Sequence, residues 1–76
     1  MIKYTPHDLE FLVKRELAKT RPSAAEEVRI QILRGRGGWY PICHFKTGRS
    51  KEDQSSIAEL VASIGQELAP SHELIG

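Results

Sequence analysis

Two stretches of alternating apolar residues, joined by a run of glycines, constrain this chain more than any other feature. Residues 27–34 place Val28, Ile30 and Ile32 on one side and Glu27, Arg29, Gln31 and Leu33 on the other. That period of two is what a strand with one buried face requires. Arg34-Gly35-Arg36-Gly37-Gly38 follows, and glycine reaches the positive φ angles of tight turns without steric cost. Residues 39–46, rich in aromatic and β-branched types, read as the return strand of a hairpin. An even-length turn centred between Arg36 and Gly37 sets Ile32 opposite Pro41, Ile30 opposite Cys43 and Val28 opposite Phe45. All three pairs then share one face with Trp39, and a one-residue slip would turn every side chain of the strand over. Pro41 has no N–H to give a ladder, which predicts an edge strand there.

Amphipathic helices flank the hairpin. Thr5, Pro6 and Asp8 form a T-x-x-D start with proline at the first helical position, and Leu9, Leu12, Val13 and Leu17 then recur at helical spacing. This predicts a helix over about 6–20, ended by Pro22, which biases Arg21 away from helical angles. Residues 23–26 form a short polar connection with room for one helical turn. Ser50 and Asp53 open a second helix over about 51–69, with Ile57, Leu60, Val61, Ile64 and Leu68 on its apolar stripe and Pro70 at its end. Residues 71–76 are expected to be a frayed tail. The expected fold is therefore α+β: one domain over residues 1–76, of order α-β-β-α, or β-α-β-β-α if residues 1–4 join the sheet. A two-stranded sheet is marginal in water, so a third strand or a second copy of the chain is expected beside it.

With 76 residues, the core is small for unaided folding. Cys43 is the sole cysteine, so no internal disulfide can compensate. No apolar stretch reaches the ~20 residues of a membrane span, and Asp8, Glu10, Lys14 and Arg15 break any signal-peptide apolar region. A soluble, cytoplasmic protein is the expectation.

The common chemistries find little footing. Cys43 and His44 are neighbours on a strand and so point to opposite faces, where they cannot act as nucleophile and base. His7, His44 and His72 match no zinc spacing. Thr47-Gly48-Arg49-Ser50 lacks the first glycine and the lysine of a phosphate loop. No catalytic residue, metal site, cofactor or small-molecule substrate is indicated, and an enzyme is not expected.

Charge is the more telling signal. Residues 28–51 carry Arg29, Arg34, Arg36, Lys46, Arg49 and Lys51 with no acid, whereas residues 52–76 carry Glu52, Asp53, Glu59, Glu67 and Glu73 with no base. Two functional expectations follow. The first is a non-enzymatic interaction module, homodimeric through the outer hairpin face, where Leu33, Tyr40 and Ile42 lie beside Arg29, Gln31 and His44, with Phe11 as a further exposed contact. The second is a nucleic-acid-binding accessory protein using Arg34, Arg36, Trp39, Tyr40, Lys46, Arg49 and Lys51, since arginines bind phosphates and aromatics stack on unpaired bases.

Overall fold

Local signals start both long helices where the sequence places them. In the computed structural model, which describes residues 2–35, 38–46 and 48–75, the Thr5 hydroxyl accepts from the Asp8 amide and the Asp8 carboxylate accepts from the Thr5 amide. This reciprocal box opens α1, Pro6–Thr20, by satisfying two donors that a helix start leaves orphaned. Strand β1, Ile2–Tyr4, precedes it. The connection after Pro22 is helical and forms α2, Pro22–Glu27. The hairpin follows as β2, Val28–Gly35, and β3, Gly38–Phe45. Ser50 caps α3, Lys51–Leu68, by accepting from the Asp53 amide.

The hairpin has the register that its apolar pattern implies. Val28 faces Phe45, Ile30 faces Cys43 and Ile32 faces Pro41, while Arg29–His44, Gln31–Ile42 and Leu33–Tyr40 alternate with them. The first set turns toward the helices. Val28, Ile30, Ile32 and Trp39 join Leu9, Val13 and Leu17 of α1, Ala24 and Ala25 of α2, and Ile57, Val61 and Ile64 of α3 in one buried cluster. The molecule thus has two layers, with the hairpin against α1 and α3, and the fold is α+β.

The tail departs from expectation. Residues 72–74 form a strand, β4, His72–Leu74, paired in parallel with β1 through Ile2–His72, Lys3–Glu73 and Tyr4–Leu74. Side-chain and backbone contacts beyond the ladder help to hold this segment. The Trp39 indole Nε1 donates to the His72 carbonyl at 2.8 Å, the Ile75 amide donates to the Tyr4 carbonyl at 2.8 Å, and the Tyr4 and His72 rings stack 4.7 Å apart. Residues 2–4 are therefore a strand, but they join this second sheet and not that of the hairpin. Among the described residues the hairpin has no third strand.

Gly65 fixes how closely α3 approaches the hairpin. A Cβ built on it would lie 2.3 Å from Cδ and 2.8 Å from Cγ of Pro41. Pro41 is buried on the inner face of β3, so the edge-strand residue that cannot donate to a ladder serves as the surface on which the helix rests.

Candidate functional site

The outer face of the hairpin has no helix over it. Along it run the pairs Arg29–His44, Gln31–Ile42 and Leu33–Tyr40. Tyr40 is 47% exposed, while Leu33 and Ile42 are half-buried. The Tyr40 ring lies diagonally over Gly35, where a Cβ would come within 2.7 Å of its Cε1. A glycine at that position leaves room for the ring to lie along the strand, and the tyrosine presents a broad, positioned apolar surface with a polar tip. His44 Nε2 and Gln31 Oε1 are 2.8 Å apart, which ties the two strands across the same face. Arg29 and Lys46 are exposed beside these residues.

Phe11 lies beside the base of the hairpin, in a cleft that Arg29 and Lys46 also line. It is 65% exposed on α1 and borders a cleft with Ala18, Pro22 and Ala25 and another with Val28 and Arg29. Neither cleft includes Leu33, Tyr40 or Ile42, so Phe11 adjoins the outer face at its Arg29–Lys46 end.

The residues suggested for nucleic acid divide. Trp39 is buried, only 6% exposed, and its indole N–H is committed to His72, so the ring is not presented for stacking on a base. Arg49 is committed too. Its guanidinium binds the carboxylates of both Glu27 and Asp53, and Arg21 reaches Asp53 from α1's C-terminal end at 2.9 Å. Tyr40, Arg34, Lys46 and Lys51 are exposed. Arg34 at the tip and Lys46 at the base are separated by seven residues of ladder, or about 23 Å of strand. Arg36 lies outside the described residues, as does Thr47 of the loop before α3.

The Arg49 cluster joins the end of α2 to the start of α3, a role the sequence reading missed because Glu27 and Asp53 are distant in the chain. The two arginines, Arg49 foremost, hold the Asp53 carboxyl below the usual carboxylate range. Its pKa is thus lower folded than unfolded, so its contribution to stability is complete above about pH 4 and declines as pH falls through the depressed value. Acid titration followed by circular dichroism should show wild-type stability falling below about pH 4, and Asp53→Asn should be less stable at neutral pH with a flatter acid limb.

Cys43 lies on the inner face opposite Ile30, packed against the core, and burial pushes its thiol pKa up. A reactive cysteine needs the opposite shift. Among the described residues no group of three histidines, cysteines or carboxylates stands close enough to hold a metal ion. No helix is long and apolar enough to cross a membrane. No protein-family model, curated protein or solved structure matches the chain.

Proposed function

We propose that this protein is a non-enzymatic interaction module that docks a second copy of itself through the outer face of the hairpin. The observation that carries the reading is the uncovered face on which Tyr40 lies over Gly35 beside Leu33 and Ile42. Aromatic and aliphatic residues bordered by arginine and histidine are the composition of protein contact surfaces. A small buried core and a hairpin that has no third strand among the described residues also gain from being covered.

The test separates folding from docking. Ile42→Asp should weaken self-association in sedimentation equilibrium by about thirtyfold, the effect of losing a central interface contact of about 2 kcal/mol. Its thermal midpoint should stay within a few degrees of wild type, because surface changes are worth about ±0.5 kcal/mol. A wild-type protein that is monomeric at high micromolar concentration, or association that Ile42→Asp leaves intact, removes the reading.

A nucleic-acid role is the second reading, supported by the exposed Arg29, Lys46 and Lys51 and by hairpin strands that carry no acid. It is the weaker because Trp39 and Arg49 are engaged internally. It requires binding to a mixed-sequence oligonucleotide that falls steeply with salt.

A further inference from the structure

Charge on this domain is sorted onto opposite faces. The hairpin's outer face carries Arg29 and Lys46, both exposed, and residues 28–51 contain no acid. On α3, the buried Ile57, Val61 and Ile64 define the inward direction. Glu52 and Glu59, seven residues apart, project within about 20° of each other and nearly opposite that direction, at 100° per residue. Both are exposed, and no base follows Lys51 in the chain.

These charges do not pair within one molecule. The contact of Gly65 with Pro41 places α3 against the inner face of β3, and neither Glu52 nor Glu59 pairs with Arg29 or Lys46. The internal ion pairs use Lys19–Glu16, Arg21–Asp53, Arg49–Glu27 and Arg49–Asp53. Arg29, Lys46, Glu52 and Glu59 have no ion pair among the described residues. A contact of hairpin on hairpin would oppose two faces that both carry arginine and lysine and whose strands hold no acid, and like charges at an interface are strongly disfavoured.

We infer that the hairpin's outer face of one copy docks on the outward face of α3 of another, head to tail, with Arg29 and Lys46 meeting Glu52 and Glu59. The inference rests on the reading of the hairpin face as a self-docking surface and names what it docks on. The spacings agree. Arg29 and Lys46 are diagonal across the ladder, about 7–8 Å apart at Cβ, and Glu52 and Glu59 are about 10 Å apart along the helix axis. Ser55 and Ser63 complete the helix face with small uncharged side chains, leaving room for Tyr40 and Ile42 of the other copy. Such a contact is heterologous, so a bound pair still offers one free helix face, on the copy whose hairpin is engaged, and one free hairpin face, on the other.

The test uses two full-length variants, each with one face disabled: Arg29→Glu with Lys46→Glu, and Glu52→Gln with Glu59→Lys. Circular dichroism confirms that each is folded. Sedimentation velocity at low salt should find each variant associating at least tenfold more weakly than wild type. Mixed in equal amounts they should form a one-to-one complex, because the intact helix face of the first meets the intact hairpin of the second. Added salt should dissociate both this complex and wild-type assemblies. If the helix variant associates like wild type while Ile42→Asp still abolishes association, the contact is hairpin on hairpin: self-docking stands and the head-to-tail inference falls. If wild type does not associate at all, both fall. Oligonucleotide binding that the hairpin variant loses, with no complex in the mixture, overturns the inference and assigns the face to nucleic acid.

Discussion

Trp39→Ala should remove most of this domain's stability, by about 3–5 kcal/mol, the usual result of emptying a buried aromatic site. A chain of 76 residues has roughly 4–11 kcal/mol in total at typical values per residue. Two mechanisms combine at this residue. The indole fills the core between hairpin and helices at 6% exposure, and its N–H holds the His72 carbonyl of β4. Trp39→Phe separates them. It keeps most of the apolar volume and should cost about 1–3 kcal/mol for the carbonyl left unpaired. Its signature is local: the Ile75 amide, bonded to the Tyr4 carbonyl, should lose hydrogen-exchange protection while the amides of β2 and β3 keep theirs. Equal loss of protection everywhere would mean that the indole N–H does not specifically secure the β1–β4 sheet. Circular dichroism is the stability probe, since the substitution removes the only tryptophan.

Gly65→Ala should destabilise the protein by about 1–3 kcal/mol, the cost of overpacking, although alanine is favoured over glycine in a helix interior by about 1 kcal/mol. The reason is the 2.3 Å separation between a Cβ at this position and Pro41 Cδ. Proline cannot swing a ring aside as a flexible side chain would, so α3 must move off β3. The double-mutant cycle is decisive. In a Pro41→Ala background the clash is gone, and Gly65→Ala should be neutral or stabilising through helix propensity alone. Additive effects in the cycle would show that the two residues do not limit each other.

These two predictions mark where the sequence is readable and where it is not. The hairpin register is legible because period-two alternation and an even turn agree. The starts of α1 and α3 are legible because caps are decided within four residues, at Thr5–Asp8 and Ser50–Asp53. The second sheet is not. A strand as short as His72–Leu74 carries no periodic signal, its partner Ile2–Tyr4 lies at the other end of the chain, and part of its anchorage is a tryptophan N–H from the hairpin. Pro70 correctly stops α3, but nothing local says that the chain resumes as a strand. Gly65 is similarly silent in a helical pattern, because its reason is Pro41 across the layer.

The candidate site divides on the same line. Which residues face outward on the hairpin follows from alternation, so Leu33, Tyr40 and Ile42 were legible together. Trp39 and Arg49 are not separable from the exposed basic residues by sequence, since His72 and Glu27 are brought to them only by the fold, and the local i,i+4 spacing of Asp53 from Arg49 does not by itself fix an ion pair. Phe11 is exposed at the edge of this face, in a cleft with Arg29 and Lys46, a juxtaposition of α1 and hairpin that no local pattern encodes.

The central claim is that the outer hairpin face docks a second copy, and amide correlation spectra of the labelled protein across a concentration series test it most directly. If the face docks, signals from Arg29, Gln31, Leu33, Tyr40, Ile42 and His44 should move with concentration, and Ile42→Asp should hold them at their dilute positions. If every signal stays in place up to high micromolar concentration, or only those around Phe11 move, the outer hairpin face is not the docking surface.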